Sequence, residues 1–369
     1  MTPTLDVIPS SFVAIPGSPE AAIQQPCILQ GIYSEEDAMP DKVNLAVVGL
    51  GWWGAELVKG VRSTGIAEVT ACFARTPSAR DEFAAQHGMK AATSYEAVLA
   101  DPDIDGVMLA TSHSSHGDLT VQAASAGKHI FVEKPFTLTV EDGRRAIKAA
   151  SEAGVVLQVG HNRRRQPANR RIKEMIDNGE MGLVVAVEAH HAAGRGLTLD
   201  PAHWRANRSE SPLSGMTGMG VHQLDSMLWL IGPIKSVSAR SNRLLKRTDL
   251  DDATVLAIEF HNGVVGSLVT SYVTPSIQRI GVMGTERSVW NEVDGKRLMV
   301  QELSDKEPNP VPIDSLDTVA DQLHEFAASI LGTTKPETGG LEGLRVVAVM
   351  EAAITAADTG VAVEVEDVG

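Results

Sequence analysis

Beyond residue 41 the chain alternates short, continuous apolar runs with longer stretches of helical period. NLAVVG, from Asn44 to Gly49, is a β-branched run ending in glycine, the pattern of a strand buried on both faces of a parallel sheet. The same grammar recurs in EVTACFA (Glu68 to Ala74), a helical stretch after Ser78, DGVMLAT (Asp105 to Thr111), a helical stretch from Asp118 to Ala126, and HIFVE (His129 to Glu133). A helix from about Val140 to Ala153 then leads into VVLQVGH. Such alternation predicts an α/β Rossmann domain, a doubly wound parallel sheet over residues 42–162.

The pattern then changes. After a helix around Asn169 to Asn178, strand follows strand: Val184 to His191, Ser236 to Asn242, Thr254 to Phe260, Val264 to Tyr272, Ser288 to Val293 and Arg297 to Leu303. Asn262-Gly263 between two of these runs predicts a hairpin with a type I′ turn. Leu316, Val319, Leu323, Phe326, Ala327 and Ile330 fall at helical spacing, and a second apolar helix is expected from about Leu341 to Ala357. Residues 163–369 therefore read as an α+β domain with a mainly antiparallel sheet. Residues 1–41 show no sustained period and read as a disordered leader, dispensable for folding and activity.

Composition narrows the partners. A formal charge of -15 repels nucleic-acid phosphates and anionic lipid, which leaves small molecules as the expected ligands. No apolar run reaches the roughly 18 to 20 residues that span a bilayer. The two cysteines, Cys27 and Cys72, supply neither a disulfide framework nor zinc-ligand spacing, which fits a reducing cytoplasm. The first 41 residues contain no Lys or Arg, so a secretory signal is not expected.

Chemistry enters with GLGWWG at the first strand-to-helix junction. In this GxGxxG spacing Gly49 allows the tight turn, Gly51 lets the backbone approach a pyrophosphate, and Gly54 lets helix and strand pack; the amides of Trp52 and Trp53 face the phosphates. At the end of the second run an NAD-preferring fold carries an acid, but this chain has Phe73-Ala74-Arg75-Thr76. An Arg75 guanidinium followed by the Thr76 hydroxyl suits a 2′-phosphate and favours NADP over NAD; the alternative is a solvated Arg stacked on adenine. Thr111 and Glu133, at the ends of later runs, are further candidate cofactor contacts. Lys134 follows at the carboxyl edge of the sheet, where doubly wound folds place ligands, and there it can handle the proton that accompanies hydride transfer.

Together GLGWWG, ATSHSSH (Ala110 to His116), AGKHIFVEKPF (Ala126 to Phe136), VGHNRRRQP (Val159 to Pro167) and GMGVHQLD (Gly218 to Asp225) resemble the signatures of the glucose-fructose oxidoreductase and inositol dehydrogenase family, Gfo/Idh/MocA. The resemblance runs from about Asn44 to the C-terminus. It implies a Rossmann domain followed by an open-faced, mainly antiparallel sheet that covers the nicotinamide and holds substrate, hydride exchange with a sugar, cyclic polyol or related alcohol, and a homo-dimer or homo-tetramer built through that sheet. Carried over, Lys134 is the family's lysine at the nicotinamide ribose and substrate hydroxyl, and His222 its catalytic histidine. The chain departs from the family at Gly218, where an acidic residue usually stands four positions before the histidine, and at Ser112 and His113, which replace a common Pro-Asn.

His222, with an ordinary pKa near 6.5, is suited to taking an alcohol proton at neutral pH. His190 and His191 cannot share a metal, because neighbouring strand residues face opposite ways; no metal is expected. Trp204 and Arg205, in a loop before GMGVHQLD, are candidate substrate binders. Arg163 to Arg165 lie at the domain junction and read by default as a solvated face. The sequence favours an NAD(P)-dependent dehydrogenase of a carbohydrate-like alcohol. A dehydrogenase of a non-sugar cyclic diol and a non-enzymatic dinucleotide sensor are the alternatives.

Overall fold

The structure, a computed structural model, describes residues 42–369; the expectations for the leader and Cys27 lie outside them. The first sheet is built from β1 (Val43–Val48), β2 (Ala67–Phe73), β3 (Lys90–Ala91), β4 (Gly106–Leu109), β5 (His129–Val132) and β6 (Leu157–Val159). All are parallel, in the order β3-β2-β1-β4-β5-β6. Leu45, Val47, Val107, Leu109, Ile130 and Val132 are fully enclosed or nearly so, which is why these runs are continuously apolar rather than alternating. The order reverses direction between β1 and β4, and the crevice at that switch point is where such sheets bind ligands.

Five helices wind around this sheet: α1 (Trp52–Arg62), α2 (Pro77–His87), α3 (Tyr95–Leu99), α4 (His116–Ser125) and α5 (Val140–Ala153). Their boundaries follow local chemistry. The Thr139 side chain accepts from Asp142 N at the start of α5, and Gly154 closes that helix in the left-handed region at φ 65°, as a glycine after a helix allows.

The second sheet has nine strands: β7 (Val184–Ala192), β8 (Ile234–Asn242), β9 (Ala253–Phe260), β10 (Val265–Ser271), β11 (Ile277–Gly284), β12 (Arg287–Glu292), β13 (Arg297–Glu302), β14 (Asn309–Val311) and β15 (Val363–Glu364). They run in the order β14-β13-β12-β11-β7-β10-β9-β8-β15, antiparallel except for the β10–β7 pair. One face packs on α6 (Pro167–Asp177), α7 (Val221–Ile231) and α9 (Gly340–Thr359) through Ile172, Leu224, Met227, Leu256, Leu268 and Val349.

Two details depart from expectation. β11 was not legible, because Gly281 interrupts its apolar alternation; a Cβ there would stand 2.3 Å from Trp290 of β12, so the glycine makes room for the indole. The Asn262-Gly263 hairpin is not type I′: Gly263 has φ 88° but Asn262 is not in the left-handed region. Gly263 N donates to Phe260 O and Phe260 N to Val264 O, which makes a type I turn closed by a glycine bulge.

The last helices cross between the sheets. α8 (Thr318–Ile330) lies against α1, placing Leu323, Phe326 and Ala327 in the core of Leu45, Val47, Leu57 and Phe131. Phe326 meets Phe131 at 5.8 Å between ring centroids. The Asp317 side chain accepts from Val319 N and Ala320 N and starts the helix there, so Leu316 is left outside it and exposed. α9 gives Leu344, Val347 and Ala348 to the first core and Val346, Val349 and Ala353 to the second. A helix apolar all round is one buried between two layers. A cut at residue 162 thus separates the sheets but not the helices that cover them.

Candidate active site

β1 ends in the glycine turn. Gly49 has φ 94°, and a Cβ on it would meet Ala110 O at 2.4 Å. A Cβ on Gly54 would meet Gly49 O at 2.3 Å, whereas one on Gly51 would meet nothing within 4 Å. Only the middle glycine therefore faces open space. The first helical bond of α1 is Ala55 N to Gly51 O, so the amides of Trp52, Trp53 and Gly54 carry no intrahelical partner and present the positive end of the helix. Arg75 and Thr76, just past β2, are both exposed. Arg75 forms no ion pair among the described residues.

A cleft of about 920 Å³ opens from this turn toward the second sheet and is lined by residues of both halves, among them Trp52, Thr111, Lys134, His191, Arg205 and His222. Lys134 leaves the end of β5 and donates from Nζ to Gly218 O at 3.0 Å. Burial lowers its pKa to about 8; the Glu133 carboxylate opposes that shift, and Arg205, Arg163 and Arg195 add to it. Glu133 is buried beneath Gly160, where a Cβ would touch its Oε1 at 2.7 Å. Its Oε2 accepts from Lys134 N at 3.2 Å, and Oε1 has no partner. Burial pushes the Glu133 pKa up, against the pull of the Lys134 ammonium.

Gly218 belongs to a π-helical turn, Met216–Gly220, that runs directly into α7. π-turns of this kind recur at functional sites. His222, in the first turn of α7, is buried with Nδ1 unpartnered. Its ring lies 6.3 Å from His191 and 6.5 Å from His161, centroid to centroid. The ordinary pKa near 6.5 expected of His222 does not survive this setting: burial, then the charges of Lys134 and Arg163, hold it well below that value. His222 is a neutral imidazole at neutral pH.

His191 faces the same cleft from β7, with burial first and Arg163 second pulling its pKa to about 2. His190 is on the other face of the strand and half-buried, and no three ligating side chains converge on a metal position among the described residues. His161 is fully enclosed with neither ring nitrogen bonded; its burial and lack of partners had no counterpart in the sequence pattern. His116 Nδ1–H donates to Pro135 O at 2.8 Å, so it braces the segment that follows Lys134.

The Arg163 to Arg165 run is not a solvated face. Arg164 binds both oxygens of buried Asp225 at 2.7 to 3.0 Å, tying the 3₁₀ turn Asn162–Arg165 to α7. Arg163 pairs with Asp294 and Gln278, and Arg165 with Asp321 and Glu325 of α8. Each cation is enclosed because a specific acceptor receives it. Trp204 is half-buried outside the cleft wall, its ring under the Arg205 guanidinium at 4.2 Å; Arg205 itself lines the cleft. Arg195, which the sequence did not single out, lies over the Trp52 ring at 5.6 Å.

A Rossmann crevice with a glycine turn, closed by a second sheet that brings a histidine to a lysine at the strand ends, defines a nicotinamide-dependent oxidoreductase. Residues 43–161 match the oxidoreductase family with the NAD-binding Rossmann fold, and residues 169–290 match the GFO/IDH/MocA C-terminal domain. The chain belongs to the Gfo/Idh/MocA family. It is 29% identical to 1,5-anhydro-D-fructose reductase of Ensifer adhaerens over 84% of this chain and 94% of that one. Against scyllo-inositol 2-dehydrogenase (NAD(+)) of Bacillus subtilis it is 32% identical over 68% of this chain and 74% of the relative. The solved aldose-aldose oxidoreductase of Caulobacter crescentus superposes with a TM-score of 0.81 at 25% identity, covering 88% of this chain and all of that one (100%).

Proposed function

We propose that the protein transfers hydride between NAD(P) and a CH–OH carbon of a sugar or cyclic polyol, with Lys134 and His222 handling the alcohol proton. The observation that carries this reading is the meeting of Lys134 with the turn leading into His222, at the sheet edge beside the glycine turn. The residues present fit a dinucleotide. Gly51 leaves open space in front of the free amides of α1, and Thr111 and Glu133 stand along the same edge. When bound, the nicotinamide gives or takes the hydride. Lys134, with a pKa of about 8, exchanges a proton near neutrality, and neutral His222 accepts or relays it.

Arg75 and Thr76 support NADP as the preferred coenzyme, since no carboxylate stands at the end of β2 to receive a ribose 2′-OH. Arg75→Ala should raise the Michaelis constant for NADP more than that for NAD; equal changes overturn the preference. The outer face of the second sheet, with Val185, Val255 and Val265 exposed, supports assembly as a homo-dimer or homo-tetramer, and the cysteine usage supports a cytoplasmic setting.

The reading is tested by following reduced-nicotinamide absorbance with both coenzymes against sugars, inositols and cyclic diols. Turnover of sugars or polyols is expected. Coenzyme binding without turnover of any of them would overturn it in favour of a sensor.

A further inference from the structure

Across β10, β7 and β11 the row Leu268, Ala189 and Ile280 is buried and apolar, part of the core beneath α7. Side chains on one face of a sheet recur every second residue, so the next row on that face holds Thr270, His191 and Gln278. There the face turns polar and meets the cleft, which His191 and Gln278 line. Gln278 is engaged, its Oε1 accepting from Arg163 at 3.1 Å. His191 is not: it is only 3% exposed, yet its Nδ1 has no partner among the described residues. A polar group enclosed this far is costly unless something supplies its hydrogen bond.

Contacts within the second half place His191 at the reacting centre. Its ring lies 6.3 Å from that of His222, centroid to centroid, with the two planes tilted by 31°. It also abuts the backbone of Met219, in the π-turn whose Gly218 carbonyl receives Lys134. The cleft runs from Trp52 and Trp53 at the start of α1 to this row on the second sheet, so His191 faces what lies between the coenzyme and that sheet. Burial, then Arg163, holds its pKa at about 2. His191 therefore stays neutral, takes no alcohol proton near neutrality and carries no charge to select a phosphate. A neutral imidazole both gives and takes a hydrogen bond, as a hydroxyl does. With about 2.8 Å to each oxygen, two rings at this separation can each receive one of two hydroxyls on neighbouring carbons.

We propose that His191 is a specificity-determining residue that binds a second hydroxyl of the substrate, on a carbon adjacent to the one exchanging hydride, while Lys134 and His222 hold the reacting hydroxyl. The proposal rests on the hydride-transfer reading above and narrows its substrate to vicinal diols, sugars or cyclitols in which that neighbouring hydroxyl is free. A site built around a hydroxyl rejects the analogue that lacks it, because the enclosed imidazole is then left unpaired.

The test is steady-state kinetics in wild type, His191→Phe and His191→Gln, with D-glucose, D-xylose and myo-inositol as parents, each against its monodeoxy analogues. In wild type, removing one hydroxyl adjacent to the oxidised carbon should lower kcat/KM by about tenfold or more. His191→Phe should lower the parent to the level of that analogue and leave the analogue itself little changed, so that the ratio falls to about one, and His191→Gln should restore part of it. A purely structural role would lower parent and analogue alike. Dinucleotide affinity by tryptophan quenching should hold in both variants, which also reports that they fold. A wild type indifferent to every adjacent deoxygenation, or a deficit that persists undiminished in both variants, overturns the hydroxyl contact and leaves hydride transfer standing. Weakened dinucleotide binding in both variants with the deficit intact overturns it by assigning His191 to the coenzyme. Failure of every sugar and polyol to react while dinucleotide binds overturns both readings.

Discussion

Lys134 donates to the Gly218 carbonyl at 3.0 Å, so the lysine at the end of the first sheet is clamped to the π-turn that delivers His222 from the second half. The contact joins the two groups proposed to handle the proton through backbone rather than through a carboxylate side chain.

Removing either group should cost turnover rather than coenzyme affinity. Lys134→Ala and His222→Ala are each expected to lower kcat by about 10² to 10⁴, with coenzyme dissociation constants near wild type. With Lys134 at about 8, kcat for alcohol oxidation rises as pH passes through that value and the amine becomes a base; the reductive direction falls over the same range. Near-normal kcat in either variant removes that residue from the mechanism, and a pH limb unchanged in Lys134→Ala assigns it to another group.

The glycine turn separates a folding role from a binding role. Gly54→Val places atoms into Gly49 O, where even a Cβ stands at 2.3 Å, and should lower the unfolding midpoint by the cost of overpacking, about 1–3 kcal/mol. Gly51→Val has room in the protein and should unfold near the wild-type midpoint, yet lose dinucleotide affinity because it fills the approach to the α1 amides. Urea unfolding and fluorescence titration read the two effects; a destabilised Gly51→Val that binds coenzyme normally would reverse the assignment.

The Arg164–Asp225 pair should be expensive to break from one side. Asp225→Ala leaves a buried guanidinium without acceptor, and a loss of about 3–5 kcal/mol in unfolding free energy is expected. Arg164→Met with Asp225→Leu should recover much of it, since neither charge then remains buried. Exposed Arg144–Glu366 is the control, with a loss of at most about 1 kcal/mol.

Acid should destabilise the protein through its buried histidines. His116 and His161 have folded-state pKa values of about 4 and His191 about 2, all below the unfolded value near 6.5. As pH falls below 6.5 the unfolded chain takes up protons that the folded chain refuses, so stability declines by as much as about 1.4 kcal/mol per pH unit for each such histidine. Urea midpoints at pH 7.5 and 5 check this. His161→Gln should fall less steeply than wild type; parallel declines would exclude His161 as a contributor.

Much of this was legible in the chain. The runs that became β1, β4 and β5 are continuous because both their faces are covered, and a period-free apolar run of that length has few other uses in a soluble fold. The turn at Gly49 to Gly54 was readable by its spacing: Gly49 and Gly54 answer steric demands within the protein, whereas Gly51 leaves open space at the start of α1. What escaped reading depends on contacts distant in sequence. Nothing near Arg164 announces Asp225, and nothing near Phe131 announces Phe326. His222 could be singled out by its motif, but its depressed pKa comes from burial and from Lys134 and Arg163, on segments far from it in the chain. Gly281 hid β11 because its reason for being glycine is an indole on the neighbouring strand.

The return of α8 and α9 to the first sheet sets an order of events during synthesis. By the time residue 162 has emerged, all six strands of that sheet exist, but Phe131, Leu45 and Leu57 still lack Phe326, and the other face lacks Leu344 and Val347. Until the final stretch of chain leaves the ribosome, the nucleotide-binding half carries two uncovered apolar patches. A nascent chain stalled before α8 should therefore be a client for holdase chaperones, even though every residue of its glycine turn is already made.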